Sequence, residues 1–242
     1  MIEQLMHLDS KAFPSLNDQQ KAQILRQIQY HVEAPPWEDL DLNGLLSLRL
    51  RILPGVTRPM SSKGLAKWLF RSSELYRNKN VLDIGTGCGI QGIVCLLGGA
   101  HSVLMTDIVQ SATICTQMNL SESGLSQRAI VQQSDLFNSI NDSARFDLIV
   151  FAQPYFSGKP IDTYEFTRGM LDPEGLLQRF FRDARTFLRR GGYLALMGWG
   201  FAGDGNEPAL IGPQFGFKLA HTESYYDWKG VQQGEFRVVL LA

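Results

Sequence analysis

From residue 80 onward, short apolar runs alternate with segments in which apolar residues recur every three to four positions. The short runs have the length of buried strands, and the longer segments have the period of amphipathic helices. This alternation predicts an α/β fold, in which parallel strands are joined by helices that cover both faces of one sheet. Seven strands are expected, over residues 81–84, 103–107, 129–132, 147–151, 193–197, 218–224 and 236–241.

The end of the chain departs from this parallel pattern. Only residues 225–235 separate the last two expected strands, which is too short for a helical crossover. The last strand is therefore expected to run antiparallel to its neighbour. A long helix is expected over residues 173–190, with its end marked by Arg189, Arg190 and the pair Gly191-Gly192.

Residues 1–60 have a different pattern, which predicts a small extension made of a helix and a hairpin. Asn17 and Gln20 have the spacing of a capping box, and Pro35-Pro36 ends the helical pattern that follows. Residues 46–52 alternate strictly between aliphatic and polar side chains, as in a half-buried strand outside the main sheet. We therefore predict an extension over residues 1–60 that caps the substrate side, and a ligand-binding domain over residues 61–242.

Composition narrows the class of protein. The 242 residues carry 23 basic and 24 acidic side chains, so the net charge of −1 offers no basic face to long nucleic acid. No apolar run is long enough for a membrane span, and the first residues lack the pattern of a secretory signal. The three cysteines lack the spacing of a zinc site or a disulfide framework. We expect a cytoplasmic protein with reduced thiols and no metal.

The strongest functional signal is the sequence Val-Leu-Asp-Ile-Gly-Thr-Gly-Cys-Gly at residues 81–89. Gly85, Gly87 and Gly89 occupy alternate positions, where the missing Cβ lets the backbone turn sharply and approach a ligand. The N-terminus of the next helix then faces that ligand. The carboxylate of Asp83 would repel a phosphate and attract a cation. It therefore favours S-adenosylmethionine, which carries an ammonium and a sulfonium group, as the cofactor.

This segment resembles the first motif of the class I S-adenosylmethionine-dependent methyltransferases. The resemblance implies a Rossmann-like, doubly wound sheet of seven strands, mostly parallel with an antiparallel last strand, and an enzyme that transfers a methyl group. Ligands of such sheets bind outside the carboxyl ends of the strands, where Asp107 is expected to accept from the ribose hydroxyls and Asp135 from the adenine amino group. The predicted cofactor-binding residues are Asp83, Gly85, Thr86, Gly87, Gly89, Asp107, Ile108, Asp135 and Leu136.

The same glycines leave one alternative cofactor class open. Residues 87–92 match the G-x-G-x-x-G pattern of dinucleotide-binding proteins, and Asp107 follows at the distance at which those proteins bind ribose. A dinucleotide-dependent oxidoreductase is therefore an alternative interpretation. Asp83 argues against it, because its charge would oppose a pyrophosphate.

The segment that follows the fourth expected strand points to the methyl acceptor. Residues 152–156, Ala-Gln-Pro-Tyr-Phe, resemble the Asn-Pro-Pro-Tyr segment of amino-methylating enzymes, in particular the release-factor glutamine methyltransferases of HemK/PrmC type in the methyltransferase small domain group. The resemblance covers about residues 50–200. In that family the Asn side chain and the next backbone carbonyl accept hydrogen bonds from the target NH₂, and the Tyr stacks on the acceptor. Here Ala152 replaces the Asn and Gln153 replaces the first Pro, whereas Pro154 and Tyr155 match.

The altered motif does not identify the methyl acceptor. The leading hypothesis is methylation of a nitrogen of a small molecule or peptide. Methylation of oxygen or carbon by a general base, drawn from the loop 156–171 or from His31, is an alternative, and a cofactor-binding module without catalysis is another. Neither long nucleic acid nor a membrane is expected as a partner, and the oligomeric state stays open. The predicted catalytic residues are Gln153, Pro154 and Tyr155, and the predicted substrate-binding residues are Ala152, Phe156, Asp162 and Glu165.

Overall fold

The described residues of the N-terminal part of the chain form one helix and one hairpin. In a computed structural model that describes residues 16–42, 44–172, 175–227 and 234–242, helix α1 covers Asp18–Glu33. Strands β1 (Trp37–Asp41) and β2 (Ser47–Arg51) pair antiparallel in a sheet of their own. The predicted capping box of α1 is confirmed, because the Asn17 side chain accepts from the Gln20 backbone N–H at 2.9 Å and the Gln20 side chain accepts from that of Asn17 at 3.1 Å.

The rest of the chain alternates between helices and strands as expected. The elements are α2 (Ser62–Arg71), β3 (Asn80–Ile84), α3 (Ile90–Leu97), β4 (Ser102–Asp107), α4 (Gln110–Glu122), β5 (Ala129–Gln133) and β6 (Phe146–Phe151). After these come β7 (Phe156–Ser157), β8 (Leu171–Asp172), α5 (Leu176–Phe187), β9 (Leu188–Trp199), α6 (Pro208–Ile211), β10 (Leu219–Asp227) and β11 (Gly234–Leu241).

All seven expected strands lie in one sheet, in the order β10-β11-β9-β6-β3-β4-β5. The last strand, β11, is antiparallel to both β9 and β10, and the other pairs are parallel. This confirms the predicted fold class. From β3 the chain first adds β4 and β5 on one side of that strand, and then adds β6 and β9 on its other side. The carboxyl ends of β3, β4 and β6 therefore meet at the switch point where such sheets bind ligands.

The boundary between α5 and β9 corrects a prediction. The helix ends at Phe187, and Leu188 already has extended backbone angles. Arg189, Arg190 and both glycines thus lie inside β9 instead of ending the helix. A Cβ at Gly192 would lie 2.8 Å from the carbonyl oxygen of Asp147 on β6, so this glycine serves a close approach of two strands. The predicted helix start, Pro173-Glu174, lies outside the described residues.

Two apolar clusters cover the two faces of the sheet, because successive residues of a strand point to opposite sides. Val81 of β3 belongs to the cluster that includes α2, α3 and α4, and Leu82 belongs to the one that includes α5. Ile24 and Ile28 of α1 are fully buried in the first cluster, so the N-terminal helix shares the core of the sheet. The division at residue 60 stays a prediction. Among the described residues, no helix is both long and apolar enough to span a bilayer.

Candidate active site

The glycine loop joins β3 to α3 and requires glycine for its backbone angles. Gly85, Gly87 and Gly89 have φ of 63°, 58° and 89°, in the left-handed region that other residues avoid. A Cβ at Gly85 would also lie 3.2 Å from the ring of Phe151. The loop thus brings bare backbone to the carboxyl end of β3, where Gly85, Thr86 and Gly87 line a cavity, named here the main cavity.

Asp83 lies directly beneath this loop and is only 1% exposed. Its Oδ2 accepts hydrogen bonds from the Thr86 hydroxyl at 2.7 Å and from the Gly92 backbone N–H at 3.0 Å. Its Oδ1 is buried and has no hydrogen-bond partner within the described residues. Burial raises the pKa of Asp83 to about 7. Neither Asp83 nor Gly89 lines the main cavity, so Asp83 supports the loop from below.

Asp107 ends β4 and connects two backbone segments at the edge of the main cavity. Its carboxylate accepts from the Gly87 N–H and from the Val109 N–H, both at 2.9 Å. Burial raises the pKa of Asp107, and the charge of Glu165 adds to the effect. Ile108 lines the same cavity and is 47% exposed, which leaves an apolar surface next to the acid. The predicted ribose and adenine residues of β4 therefore lie together.

Asp135 and Leu136 also line the main cavity, in a loop that follows β5. Asp135 forms an ion pair with Arg179 of α5, with 2.6 Å between Oδ2 and Nη2. Leu136 has φ of 49°, a strained value for a leucine, and the Ser134 hydroxyl holds it by donating to its carbonyl at 2.9 Å. Sequence reasoning missed Arg179, which lines the cavity and competes for the carboxylate expected to bind adenine.

The turn after β6 contributes Ala152, Gln153, Pro154 and Tyr155 to the main cavity, next to the glycine loop. The Gln153 side chain does not face a ligand there. Its Nε2 donates to the Met197 carbonyl and its Oε1 accepts from the Met197 N–H at 3.3 Å. The Gln153 side chain therefore does not replace the missing Asn as an acceptor for the target NH₂, because both ends of the amide bind the backbone of β9.

Tyr155 is nearly buried, with its hydroxyl at the base of the turn. Its Oη lies 3.1 Å from Oγ of Ser61 and 3.3 Å from Sδ of Met197, and its ring meets Trp199 edge-on at 5.4 Å. Burial raises the pKa of the phenol, so the hydroxyl is neutral. Phe156 is fully buried, also against Trp199, and does not line the cavity. Its predicted substrate contact is not supported, because β7 turns the side chain into the core.

The connector between β7 and β8 folds over the main cavity. It contains a 3₁₀ helix over Glu165–Gly169 that is tied down by the Thr57 hydroxyl, which donates to the Phe166 carbonyl at 2.5 Å. Glu165 lines the cavity, and its Oε2 lies 3.4 Å from the Ser111 hydroxyl, on the same side as Asp107. Asp162 is exposed and does not line the cavity, so its predicted substrate contact is not supported either.

The comparison with known families decides the class of this site. The family model described as methyltransferase small domain matches residues 61–203. The chain belongs to the methyltransferase small domain family. The match confirms the predictions of a class I methyltransferase and of S-adenosylmethionine as its methyl donor. It covers β3, the glycine loop and the turn after β6, whereas α1 and the hairpin precede it.

Two relatives are similar to the chain in sequence, and one solved structure is similar to it in fold. It is 28% identical to a Methanocaldococcus jannaschii protein named as a protein N5-glutamine methyltransferase, over 71% of this chain and 86% of that one. It is 34% identical to a tRNA1(Val) (adenine(37)-N6)-methyltransferase of Vibrio vulnificus, over 41% of each chain. The fold matches that of a ribosomal protein L11 methylase from Lactobacillus delbrueckii subsp. bulgaricus with a TM-score of 0.59, at 18% identity over 85% of this chain and 98% of that one.

The residues of this methyltransferase fit its cationic donor. The buried Oδ1 of Asp83 lacks a hydrogen-bond donor from the described residues, and an ammonium group, directly or through water, would satisfy it. The glycine loop gives a ligand access to bare backbone, and the Ile108 side chain offers an apolar face beside the carboxylate of Asp107.

His31, the candidate base from the N-terminal extension, has a structural position instead. Its Nε2 accepts from the Arg58 backbone N–H at 2.8 Å, so its Nδ1 carries the proton and donates to the Gln27 carbonyl, also at 2.8 Å. The ring stacks on Phe166 with 4.5 Å between centroids. Burial lowers the pKa of His31 to about 4. Both nitrogens are engaged, so His31 is not placed to act as a base.

Sequence reasoning also missed the segment 55–62 as a wall of the main cavity. Arg58 lies at its centre, buried, and its guanidinium binds the carboxylate of Glu38 at 3.0 Å and the carbonyl of Ala34 at 2.9 Å. The only sequence signal was the pair Arg58-Pro59, which the family resemblance includes. These bonds attach the cavity wall to α1 and β1, so the N-terminal elements position part of the site.

Proposed function

We propose that this methyltransferase methylates a nitrogen atom of a polypeptide side chain or of a small molecule. The observation that supports this acceptor is the absence of a general base from the turn 152–155. Ala152 has no polar group, the Gln153 amide is bound to β9, and the Tyr155 phenol is neutral. A nitrogen that carries its own lone pair needs alignment more than deprotonation, whereas a hydroxyl needs a base.

The residues around the glycine loop are proposed to hold the donor. When bound, S-adenosylmethionine supplies a methyl group on a good leaving group, so the chain's task is to orient it and to exclude water. Asp83 is proposed to hold the ammonium group, directly or through water, and Asp107 the ribose hydroxyls. Ile108 and Leu136 would cover the adenine, with Asp135 at its amino group while paired to Arg179.

The residues of the turn after β6 are proposed to orient the acceptor. Pro154 restricts Gln153 to an extended backbone, and Tyr155 would bound the acceptor from the side of Ser61. Ala152 lacks the amide of the family motif and the Gln153 side chain is committed to Met197, so the backbone carbonyl of Gln153 is the part of the family's clamp that this turn retains. Both relatives described above are named for methylation of nitrogen, which supports the class of atom.

Methylation of oxygen or carbon has little support from the site. Of the three candidate bases, His31 has both nitrogens engaged and Asp162 is away from the main cavity. Glu165 lines the cavity, but its carboxylate lies near Ser111 on the Asp107 side. The balanced net charge favours a polypeptide or small acceptor over a long nucleic acid, and the thiol content favours a reducing, cytoplasmic setting.

The acceptor class can be tested with tritiated S-adenosylmethionine. Short synthetic peptides that contain lysine, glutamine, serine or aspartate would be incubated with the chain, and mass spectrometry would locate the methyl group. We expect a methyl on nitrogen, reduced label transfer by Asp107→Ala at low donor concentration, and full activity of Glu165→Gln. A methyl on oxygen or carbon, or loss of all activity in Glu165→Gln, would refute the nitrogen assignment.

A further inference from the structure

A second cavity lies beside the main one and is named here the groove. Its volume is about 520 Å³, and three elements wall it: β1 of the hairpin, helix α2, and β10 at the edge of the sheet. The family match covers α2 but neither β1 nor β10, because it spans residues 61–203. The main cavity is therefore built mostly from family-matched residues, whereas two of the three walls of the groove lie outside the family match.

The groove adjoins the main cavity at Met60 and Ser61, which line both. Ser61 stands at the junction. Its hydroxyl lies 3.1 Å from the Tyr155 hydroxyl in the main cavity, and its carbonyl accepts from the Tyr225 hydroxyl at 2.7 Å on the groove side. The Tyr225 ring packs so closely on α2 that a Cβ at Gly64 would overlap it. A chain lying in the groove would thus reach the proposed acceptor turn.

The floor of the groove carries three basic residues on one face of α2. Lys63, Lys67 and Arg71 follow each other at four-residue intervals, so their side chains lie in a row. Lys63 is paired with Glu38 at 2.6 Å and Arg71 with Glu223 at 2.5 Å. Lys67, between them, makes no ion pair or hydrogen bond with any residue that the structure describes. It is the one cation of the row that is available to a ligand.

The opposite wall is acidic, which bears on the kind of ligand. Asp39 and Asp41 of β1 line the groove across from α2, and Glu223 lines it from β10. Asp39 is paired with Arg49 at 2.8 Å and Glu223 with Arg71, so Asp41 and Lys67 are the two charged residues of the groove that make no ion pair with a described residue. A nucleic-acid backbone needs several basic side chains for its phosphates, and Lys67 is one unpaired cation. A polypeptide, which can carry both signs along one segment, fits a groove with one acidic and one basic wall.

We propose that the groove binds the polypeptide segment next to the methylated side chain, with a carboxylate of that segment on Lys67. This inference rests on the proposed function and names its substrate class, a polypeptide, over a free small molecule. Tyr226, 59% exposed at the rim, would cover the segment from the side of β10. Recognition by β1 and β10 would let this chain select an acceptor different from those of its relatives while keeping the same donor site.

The test uses the full-length chain, tritiated S-adenosylmethionine and paired synthetic peptides. Each pair has the same central lysine or glutamine and differs only in the flanking residues, which are acidic in one peptide and basic in the other. We expect the wild-type chain to prefer the acidic peptides. Lys67→Glu should lower kcat/KM for them by up to about fivefold, the upper end of the range for one solvent-accessible charge pair, and raise it for the basic peptides. Lys218→Glu, an exposed charge reversal outside the groove, is the matched control and should change neither.

One further measurement makes the outcome decisive. Calorimetry with S-adenosylhomocysteine should give equal donor affinity in wild type, Lys67→Glu and Lys218→Glu, which shows that the variants fold. Three results would overturn the inference. They are equal activity of wild type and Lys67→Glu on all peptides, methylation of an RNA oligonucleotide or of free lysine but of no peptide, and no methylation at all. A Lys67-dependent methyl found on oxygen or carbon would uphold the groove and refute the nitrogen proposal, so the two fail separately.

Discussion

The carboxylate of Asp107, at the end of β4, accepts a hydrogen bond of 2.9 Å from the backbone N–H of Gly87, in the glycine loop that follows β3. The other carboxylate oxygen accepts from the Val109 N–H at the same distance. One side chain thus sets the shape of the loop and the start of the segment that leads into α4. The residue proposed to bind the ribose also orders the backbone that approaches the donor.

Replacing Asp107 should therefore weaken donor binding in two ways. Asp107→Ala removes the charged acceptor for the ribose and both backbone bonds, and we expect a loss of about 1–3 kcal/mol in the affinity for S-adenosylhomocysteine. Asp107→Asn keeps one acceptor oxygen and should lose less. Calorimetry measures both values. Equal affinity of wild type and Asp107→Ala would contradict the assigned role.

Asp83 should couple donor binding to a proton. Burial raises its pKa to about 7, so in the ligand-free protein near neutral pH part of the population is protonated. A bound cation favours the ionised carboxylate and lowers this pKa, so binding of S-adenosylmethionine at pH 7 should release a proton. Calorimetry in buffers of different ionisation enthalpy measures the release. It should vanish in Asp83→Asn and persist in the exposed control Asp142→Asn; release that persists in Asp83→Asn would show that Asp83 does not sense the donor.

Tyr155 should affect turnover more than donor affinity. Tyr155→Phe keeps the ring and its packing on Trp199 but removes the contacts of the hydroxyl with Ser61 and Met197. We expect a lower kcat with unchanged affinity for S-adenosylhomocysteine. The pH profile should keep its shape, because the phenol is neutral. Tyr155→Ala is less informative, since loss of a buried ring costs about 3–5 kcal/mol of folding free energy. A fall in donor affinity larger than the fall in kcat would contradict the proposal that Tyr155 contacts the methyl acceptor.

His31 should make the fold sensitive to acid. Its pKa is about 4 in the folded chain, against 6.5 for an ordinary histidine, so between these values the unfolded chain binds a proton that the folded chain does not. Its contribution to the free energy of unfolding is complete above pH 6.5 and falls as the pH drops toward 4, by up to about 3 kcal/mol.

Thermal unfolding across that pH range tests the role of His31. His31→Gln should lose less stability on acidification than the wild type, although it is less stable at neutral pH because its contacts with Arg58 and Phe166 are altered. The exposed His101 provides the matched control, and His101→Gln should follow the wild-type curve. Parallel curves for His31→Gln and wild type would rule out the assigned pKa.

The parts of the fold that the sequence predicted well are those that local patterns determine. The positive φ of Gly85, Gly87 and Gly89 and the capping box at Asn17 depend on neighbouring residues, so short motifs reveal them. The strands of the sheet were found because each is a short apolar run. The end of α5 was misplaced because Gly191-Gly192 has two physical uses, a helix end or a close strand contact, and only the packing of β9 on β6 distinguishes them.

The parts that escaped prediction depend on contacts between distant positions. The amide of Gln153 binds the backbone of Met197, and Asp135 pairs with Arg179, each across 44 positions of the sequence. Phe156 follows the cavity-lining Tyr155 directly, yet the pairing of β7 with β8 turns it into the core. The residue type at one position does not indicate which distant residue the folded sheet will bring into contact with it.

The central claim is that the acidic end of β3 and the glycine loop hold a cationic methyl donor. Its most direct test is calorimetric titration of the full-length chain with S-adenosylhomocysteine and, separately, with NAD. The account predicts saturable binding of S-adenosylhomocysteine at one site per chain and no heat with NAD. Binding of NAD in preference, or no binding of S-adenosylhomocysteine, would contradict it.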